Sequence, residues 1–142
     1  MGRPPDNLFR LVVLSHLLGN TDLHAKNVSF VRTAADRTGL APAYDIAMHL
    51  HSPQSNRTVA LQVNGKNSFD SIGWGDLAAE GSAWGIPRSR LDSMGAELVE
   101  SFDRALEAEF AAACHPGVPA RAWDVVRARG DALRRQLRDG QS

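Results

Sequence analysis

Apolar residues occupy nearly every helical face between positions 8 and 18 (Leu8, Phe9, Leu11, Val12, Val13, Leu14, Leu17, Leu18). This pattern predicts a helix buried all round. Pro4, Pro5 and Asp6 form its start signal, with Asp6 the expected N-cap. Gly19-Asn20 ends it, Gly19 being suited to the left-handed position after a helix. Residues 20–27 are polar and too dense in hydrogen-bonding side chains for a helix interior. Residues 28–31 (Val-Ser-Phe-Val) alternate as a short strand, 34–39 read as a turn, and 40–44 form a second extended piece containing Pro42. Together they predict a hairpin with a polar turn. Asp45 follows directly, and residues 46–50 could begin a helix.

Further along, residues 58–63 alternate as a strand, and Asn64-Gly65 is a strong turn signal. A short helix is expected between 70 and 85, from Asp76, and Pro87 suits the first turn of another. From Leu91 through Met94, Leu98, Val99, Phe102, Ala105, Leu106 and Phe110, apolar residues recur at three- and four-residue steps. That spacing predicts a long amphipathic helix, stopped by His115-Pro116-Gly117. Trp123, Val126, Leu133 and Leu137 mark a last helix with a basic end, favourable to the helix dipole. The expected class is α+β and mostly α-helical, in one domain over residues 1–142, with no internal repeat.

Composition narrows this picture little. Hydrophobic residues make up 43% and charged residues 23% of the 142 positions, which is globular rather than disordered. The net charge is zero, so bulk charge calls for neither a nucleic-acid nor a membrane partner. No apolar run approaches the ~20 residues of a spanning helix, and the N-terminus has no signal-peptide pattern. The single cysteine, Cys114, cannot form an internal disulfide. A cytoplasmic protein is expected. Fourteen of the sixteen basic residues are Arg; only Lys26 and Lys66 are Lys.

The chemistry concentrates in Gly19-Asn20-Thr21-Asp22-Leu23-His24-Ala25-Lys26-Asn27, with a second acid in Ala43-Tyr44-Asp45. Phosphoryl transfer needs a carboxylate to orient the attacking hydroxyl and accept its proton. It also needs oxygen ligands to hold magnesium against the nucleotide phosphates, and a cation near the transferred group. Asp22 fits the base. Asn27 and Asp45 fit the metal ligands, since magnesium takes hard oxygen donors. Lys26 is the candidate for the phosphoryl oxygens. His24 joins Asn27 and Asp45 in the candidate cofactor-binding set, chiefly by ordering the loop through hydrogen bonds. The hairpin would return the chain so that Asp45 faces Asn27. Each of these residues also has a plainer use: Asp and Asn are ordinary turn and cap residues, and Lys26 could be a solvated surface lysine. Asn20 is expected to terminate the first helix, and Ser29 and Tyr44 to pack or brace the loop.

The string resembles the catalytic loop of the HipA family, bacterial serine/threonine kinase toxins of toxin–antitoxin systems. Gly19, Asn20, Asp22, His24, Lys26, Asn27 and Ser29 stand at that family's Gly-Asn-x-Asp-x-His-x-Lys-Asn-x-Ser positions. Residues 40–45, Leu-Ala-Pro-Ala-Tyr-Asp, are similar to its metal-binding segment, and 59–66 look like a segment found downstream in many members. The resemblance implies a protein-kinase-like C-terminal lobe whose short hairpin carries the metal-binding segment, with ATP and Mg2+ as cofactors. It implies Asp22 as base and Asn27 and Asp45 as metal holders. A DNA-binding antitoxin of HipB type is the implied partner, and a protein hydroxyl the implied acceptor. Asp22-Leu23-His24-x-x-Asn27 also resembles the loop of aminoglycoside and choline phosphotransferases, which modify small molecules; Lys26-Asn27-x-Ser29 and Pro42-x-Tyr44-Asp45 favour the toxin family. A non-catalytic remnant that binds an antitoxin or a kinase partner is the third reading.

Only twenty-one residues precede Asp22, with no glycine-rich loop and no lysine among them, and the first glutamate of the chain is Glu80. A whole kinase grips the nucleotide with such upstream parts. The expectation is therefore weak ATP binding and little transfer by this chain alone, which is then either a gene fragment or one part of a split kinase with a separate nucleotide-covering lobe as a further partner. The face left for that lobe would include the helix over 8–18 and the residues around 44–50. His49 and His51 could suggest a metal pair, but no Cys or acid is spaced to complete a zinc site. Cys114 reads as a small buried apolar residue, and Trp74, Trp84 and Trp123 as core anchors. Arg127, Arg129, Arg134, Arg135 and Arg138 read as a solvated face, or as a docking surface for an acidic partner or nucleic acid.

Overall fold

Helix α1, Pro4–Leu18, is the axis on which the other helices pack. The computed structural model describes residues 3–32, 34, 37–111 and 119–140. No residue of α1 from Pro5 onward is exposed, and Phe9, Val13 and Leu17 are sealed, as the all-round apolar pattern requires. Each such side chain contributes roughly 1.5–3 kcal/mol through burial. Asp6 is not the N-cap. Arg3 holds that position without a side-chain cap bond, and Pro4 and Pro5 fill the first turn. Asp6 lies one turn in, 3% exposed, and accepts from Arg90 Nε (3.1 Å) and Nη2 (2.5 Å). Two prolines at the helix start have no N–H to be capped, which frees the carboxylate to pin α1 to a later helix.

Gly19 closes α1 at φ 71°. Its N–H reaches the His16 carbonyl, and that of Asn20 reaches Ser15. A Cβ at Gly19 would meet the Leu50 side chain at 3.2 Å, so the position needs both the left-handed backbone and the missing side chain. A one-turn 3-10 helix, Ala25–Asn27, follows. Strands β1 (Phe30–Arg32) and β2 (Thr38–Leu40) pair antiparallel, Phe30 opposite Leu40 and Arg32 opposite Thr38. The hairpin is as expected, but its first strand starts two residues later, and its second starts two residues earlier and ends four residues earlier, than anticipated. Thr38 and Gly39 belong to a strand rather than the turn, and the stretch after Leu40 leaves the ladder just before Pro42, which has no N–H to donate. Ala41 still donates to Ser29 at 2.8 Å.

Residues 46–50 do not begin a helix. The chain reverses at Asp45 (φ 55°) and folds back on the end of α1, His49 N–H bonding the Gly19 carbonyl at 3.2 Å. That tertiary anchoring competes with an i→i−4 ladder. Strands β3 (Thr58–Val63) and β4 (Lys66–Ser68) form the second hairpin. Its Asn64-Gly65 turn has both residues at positive φ (51° and 73°), the conformation this pair favours. The hairpin docks on α2 (Trp74–Ala83) through Asp76, which accepts from Lys66 Nζ (2.8 Å), Asn64 Nδ2 (3.0 Å) and Gly73 N (3.0 Å). Helix α2 thus starts two residues before Asp76, which acts inside its first turn.

Helices α3 (Arg88–Ala111) and α4 (Ala120–Asp139) complete the core. Leu91, Met94 and Val99 of α3 and Val126, Leu133 and Leu137 of α4 are buried, whereas Ala105 is exposed. Trp74 is the central anchor at 1% exposure, edge-on to Phe9 with 5.9 Å between rings; Trp84 and Trp123 are half-buried. The Trp74 backbone N–H finds Gln136 Oε1 (2.7 Å) and its indole N–H finds Asp92 (2.9 Å). The expectations at Cys114 and at His115-Pro116-Gly117 lie outside the described residues. The architecture is mostly helical, with two small antiparallel hairpins. Among the described residues no helix is long and apolar enough to cross a membrane.

Candidate functional site

The polar loop over 20–27 is held from three sides. Ala60 of β3 donates to the Thr21 carbonyl (2.9 Å), and the Thr21 N–H reaches His49 Nδ1 (3.3 Å). Asn20, 4% exposed, turns its Oδ1 onto the Asp22 N–H (3.1 Å). Asn20 therefore both ends α1, through its backbone, and shapes the loop, through its side chain. The signal for the second role is its place two residues before an acceptor-seeking N–H, the spacing of an Asx turn.

Asn27 is buried although it lies in a surface loop. Its Oδ1 accepts from the His24 N–H (3.1 Å), and its Nδ2 donates to Asp45 Oδ2 (2.8 Å). The two partners fix the amide orientation, since a carboxylate can only accept and an N–H can only donate. Asn27 and Asp45, 18 residues apart, are thus brought into direct contact, as the returning hairpin anticipates. Asp22 stands exposed on the same loop, five residues before Asn27, and among the described residues its carboxylate has no ion pair. It makes no hydrogen bond to Asn27 or Asp45. Lys26 is exposed, and its carbonyl accepts from the Tyr44 hydroxyl at 2.7 Å. His24 enters the loop's bonding through its backbone; its Nδ1 is buried with no partner among the described residues.

Asn27 and Asp45 bring two oxygen-bearing side chains into contact, and Asp22 adds an exposed carboxylate five residues before Asn27. Among the described residues no three His, Cys, Asp or Glu side chains cluster. Magnesium fits such a pair, since it keeps water and phosphate ligands and uses one or two protein oxygens. The His49 and His51 rings have separate partners. His49 faces Thr21, His51 Nδ1 contacts the Met48 carbonyl (2.9 Å), and neither lies on a strand.

Below the loop, His16 stacks on Phe69 (4.8 Å between rings), and Arg129 covers the same ring at 3.9 Å while donating to the His16 carbonyl (2.7 Å). Burial, aided by Arg129, pushes the His16 imidazole down to about 3, and burial lowers Arg129 to about 10. The face suggested for a separate lobe is therefore only partly available: α1 is consumed by this chain's own helices, leaving a groove bordered by Arg10, Leu14, Leu40 and Pro42. Of the basic cluster on α4, Arg129 and Arg134 are engaged within the chain, Arg134 with Asp103 and Asp131.

A mostly helical lobe, with a polar loop after its first helix and an acid returned to that loop by a hairpin, defines the class. Residues 4–106 match the family model of the HipA-like C-terminal domain, and the chain belongs to that family. No curated protein gives a significant match. A solved structure with the same fold is that of the Shewanella oneidensis MR-1 toxin–antitoxin system HipA and HipB with its operator DNA. The similarity to a chain of that complex has a TM-score of 0.66 at 23% identity, covering 93% of this chain and 30% of the other. The chain thus spans under a third of that relative's length.

Proposed function

We propose that this chain is the catalytic-loop lobe of a HipA-type serine/threonine kinase, which transfers the terminal phosphoryl group of ATP to a protein hydroxyl. The observation that carries this reading is the direct Asn27–Asp45 contact, with Asp22 exposed five residues before Asn27 on the polar loop. Asp22 takes the proton of the acceptor hydroxyl, and its exposure leaves room for a protein substrate. Asn27 and Asp45 hold magnesium, which when bound neutralises charge on the nucleotide phosphates. Lys26, exposed on the same loop, supplies a cation toward the transferred group. His24 orders the turn between Asp22 and Asn27. A DNA-binding antitoxin of HipB type is the partner proposed, since the solved relative is complexed with HipB and operator DNA. A cytoplasmic setting goes with that role.

The parts that grip the nucleotide in a kinase lie upstream of such a loop, and charge-assisted phosphate contacts contribute roughly 1.5–3 kcal/mol each. The chain alone is therefore proposed to bind ATP weakly. The test is phosphoryl transfer from labelled ATP with magnesium, with a nucleotide-covering lobe supplied in trans or fused upstream. Transfer to protein that disappears in Asp22→Asn supports the reading. Equal transfer by Asp22→Asn overturns it.

A further inference from the structure

We propose that Tyr44 and His49 are positioning residues, clamping the Asp45 segment to the polar loop on either side of Asp45 and so setting the site's affinity for its divalent cation. This rests on the reading of Asn27 and Asp45 as metal ligands. Residues 41–49 belong to no helix or strand, so no backbone ladder holds Asp45, which is exposed and adopts a left-handed φ of 55°. Contacts outside any ladder fix it instead. On one side, the Tyr44 hydroxyl donates to the Lys26 carbonyl at 2.7 Å. That commits its single proton, so at the 2.7 Å contact with Ser29 Oγ the serine is the donor. The Lys26 carbonyl belongs to the peptide that leads into Asn27. On the other side, the His49 N–H bonds the Gly19 carbonyl (3.2 Å), and His49 Nδ1 accepts from the Thr21 N–H (3.3 Å), on the residue before Asp22. That acceptance places the imidazole proton on Nε2.

The clamp therefore ties each flank of Asp45 to a residue adjoining Asn27 or Asp22. A single Asn27–Asp45 hydrogen bond at an exposed rim would leave the carboxylate free to swing, and a cation would then have to order it on binding. Pre-fixed ligands remove that cost.

The experiment uses this chain with Mn2+ alone, following the paramagnetic broadening of amide resonances from residues 26–28 and 44–46. Tyr44→Phe removes one hydroxyl from an exposed ring, so its thermal midpoint should move by less than about 2 °C. Its Mn2+ midpoint should rise about three- to ten-fold, the scale of the hydrogen bond to the Lys26 carbonyl, which is the one of the hydroxyl's two that reaches the peptide of Asn27. His49→Ala should act in the same direction. Placed on an Asp45→Asn background, Tyr44→Phe should add nothing, because the ligand it positions is already gone. Unchanged Mn2+ midpoints in both Tyr44→Phe and His49→Ala, with binding lost in Asp45→Asn, overturn the clamp and leave the metal site standing. Absence of site-localised broadening in the wild-type chain overturns the metal reading and the clamp together. Should His49→Ala fail to fold, Tyr44→Phe decides.

Discussion

The Asn27 side-chain amide donates to Asp45 Oδ2 across 2.8 Å, and its own carbonyl oxygen accepts the His24 N–H with one of its two lone pairs. One buried amide thereby closes a polar turn and holds an acid from beyond a hairpin. Asp45→Ala should weaken Mn2+ binding at residues 26–28 at least ten-fold, and should lower phosphoryl transfer by about a hundred-fold or more in the lobe-supplemented assay. The fold should survive, since Asp45 is exposed. Circular dichroism melting alongside the Mn2+ titration checks both halves of the expectation.

Gly95 of α3 lies against the face of the Trp74 indole so closely that a Cβ there would overlap the ring. Trp74 is sealed and tied by two hydrogen bonds, so it cannot easily withdraw. Gly95→Ala would raise intrinsic helix propensity by up to about 1 kcal/mol. The overlap outweighs that gain, and a net loss of about 1–3 kcal/mol is expected. Urea unfolding followed by tryptophan fluorescence measures it; a stabilised variant would contradict the packing described.

His16 gives the fold a pH dependence whose sign is fixed. Its folded value, about 3, lies below the unfolded 6.5. Between these values the unfolded chain binds the extra proton, so stability is full above pH 6.5 and falls as pH drops toward 3, by at most about 1.4 kcal/mol per unit. Two carboxyl groups act lower down. The hydrogen bond from Arg57 holds Asp70 below its ordinary range, and for Asp76 the bonds from Lys66, Gly73 and Asn64 outweigh burial. Their contributions are present above pH 3.8 and are lost as pH falls below it, so the window from pH 4 to 6.5 reports His16. In that window His16→Gln should flatten the stability profile measured by urea unfolding at a series of pH values. An unchanged slope would show that His16 binds its proton equally in the folded and unfolded states.

Much of the fold was legible from local signals. The all-apolar run of α1, the Asn64-Gly65 turn and the three- and four-residue steps of α3 each report a backbone preference or a burial pattern within a few residues. The misreadings share one cause. Asp6 looks like a cap, but its partner Arg90 is 84 residues away; residues 46–50 look helical, but His49 and Leu50 are drawn to Gly19. In both cases a distant contact overrides a local tendency.

The site divides along the same line. The sequence by itself determined the chemistry available: a nine-residue polar string, three oxygen-bearing side chains and a hairpin long enough to bring the third back. It did so because donor type and loop spacing are properties of consecutive residues. Only the tertiary structure decided that Asn27 touches Asp45, that the Lys26 carbonyl receives Tyr44, and that His49 braces Thr21. Each of these joins residues from separate elements, and their meeting depends on how α1, the hairpins and β3 pack, which no local pattern encodes.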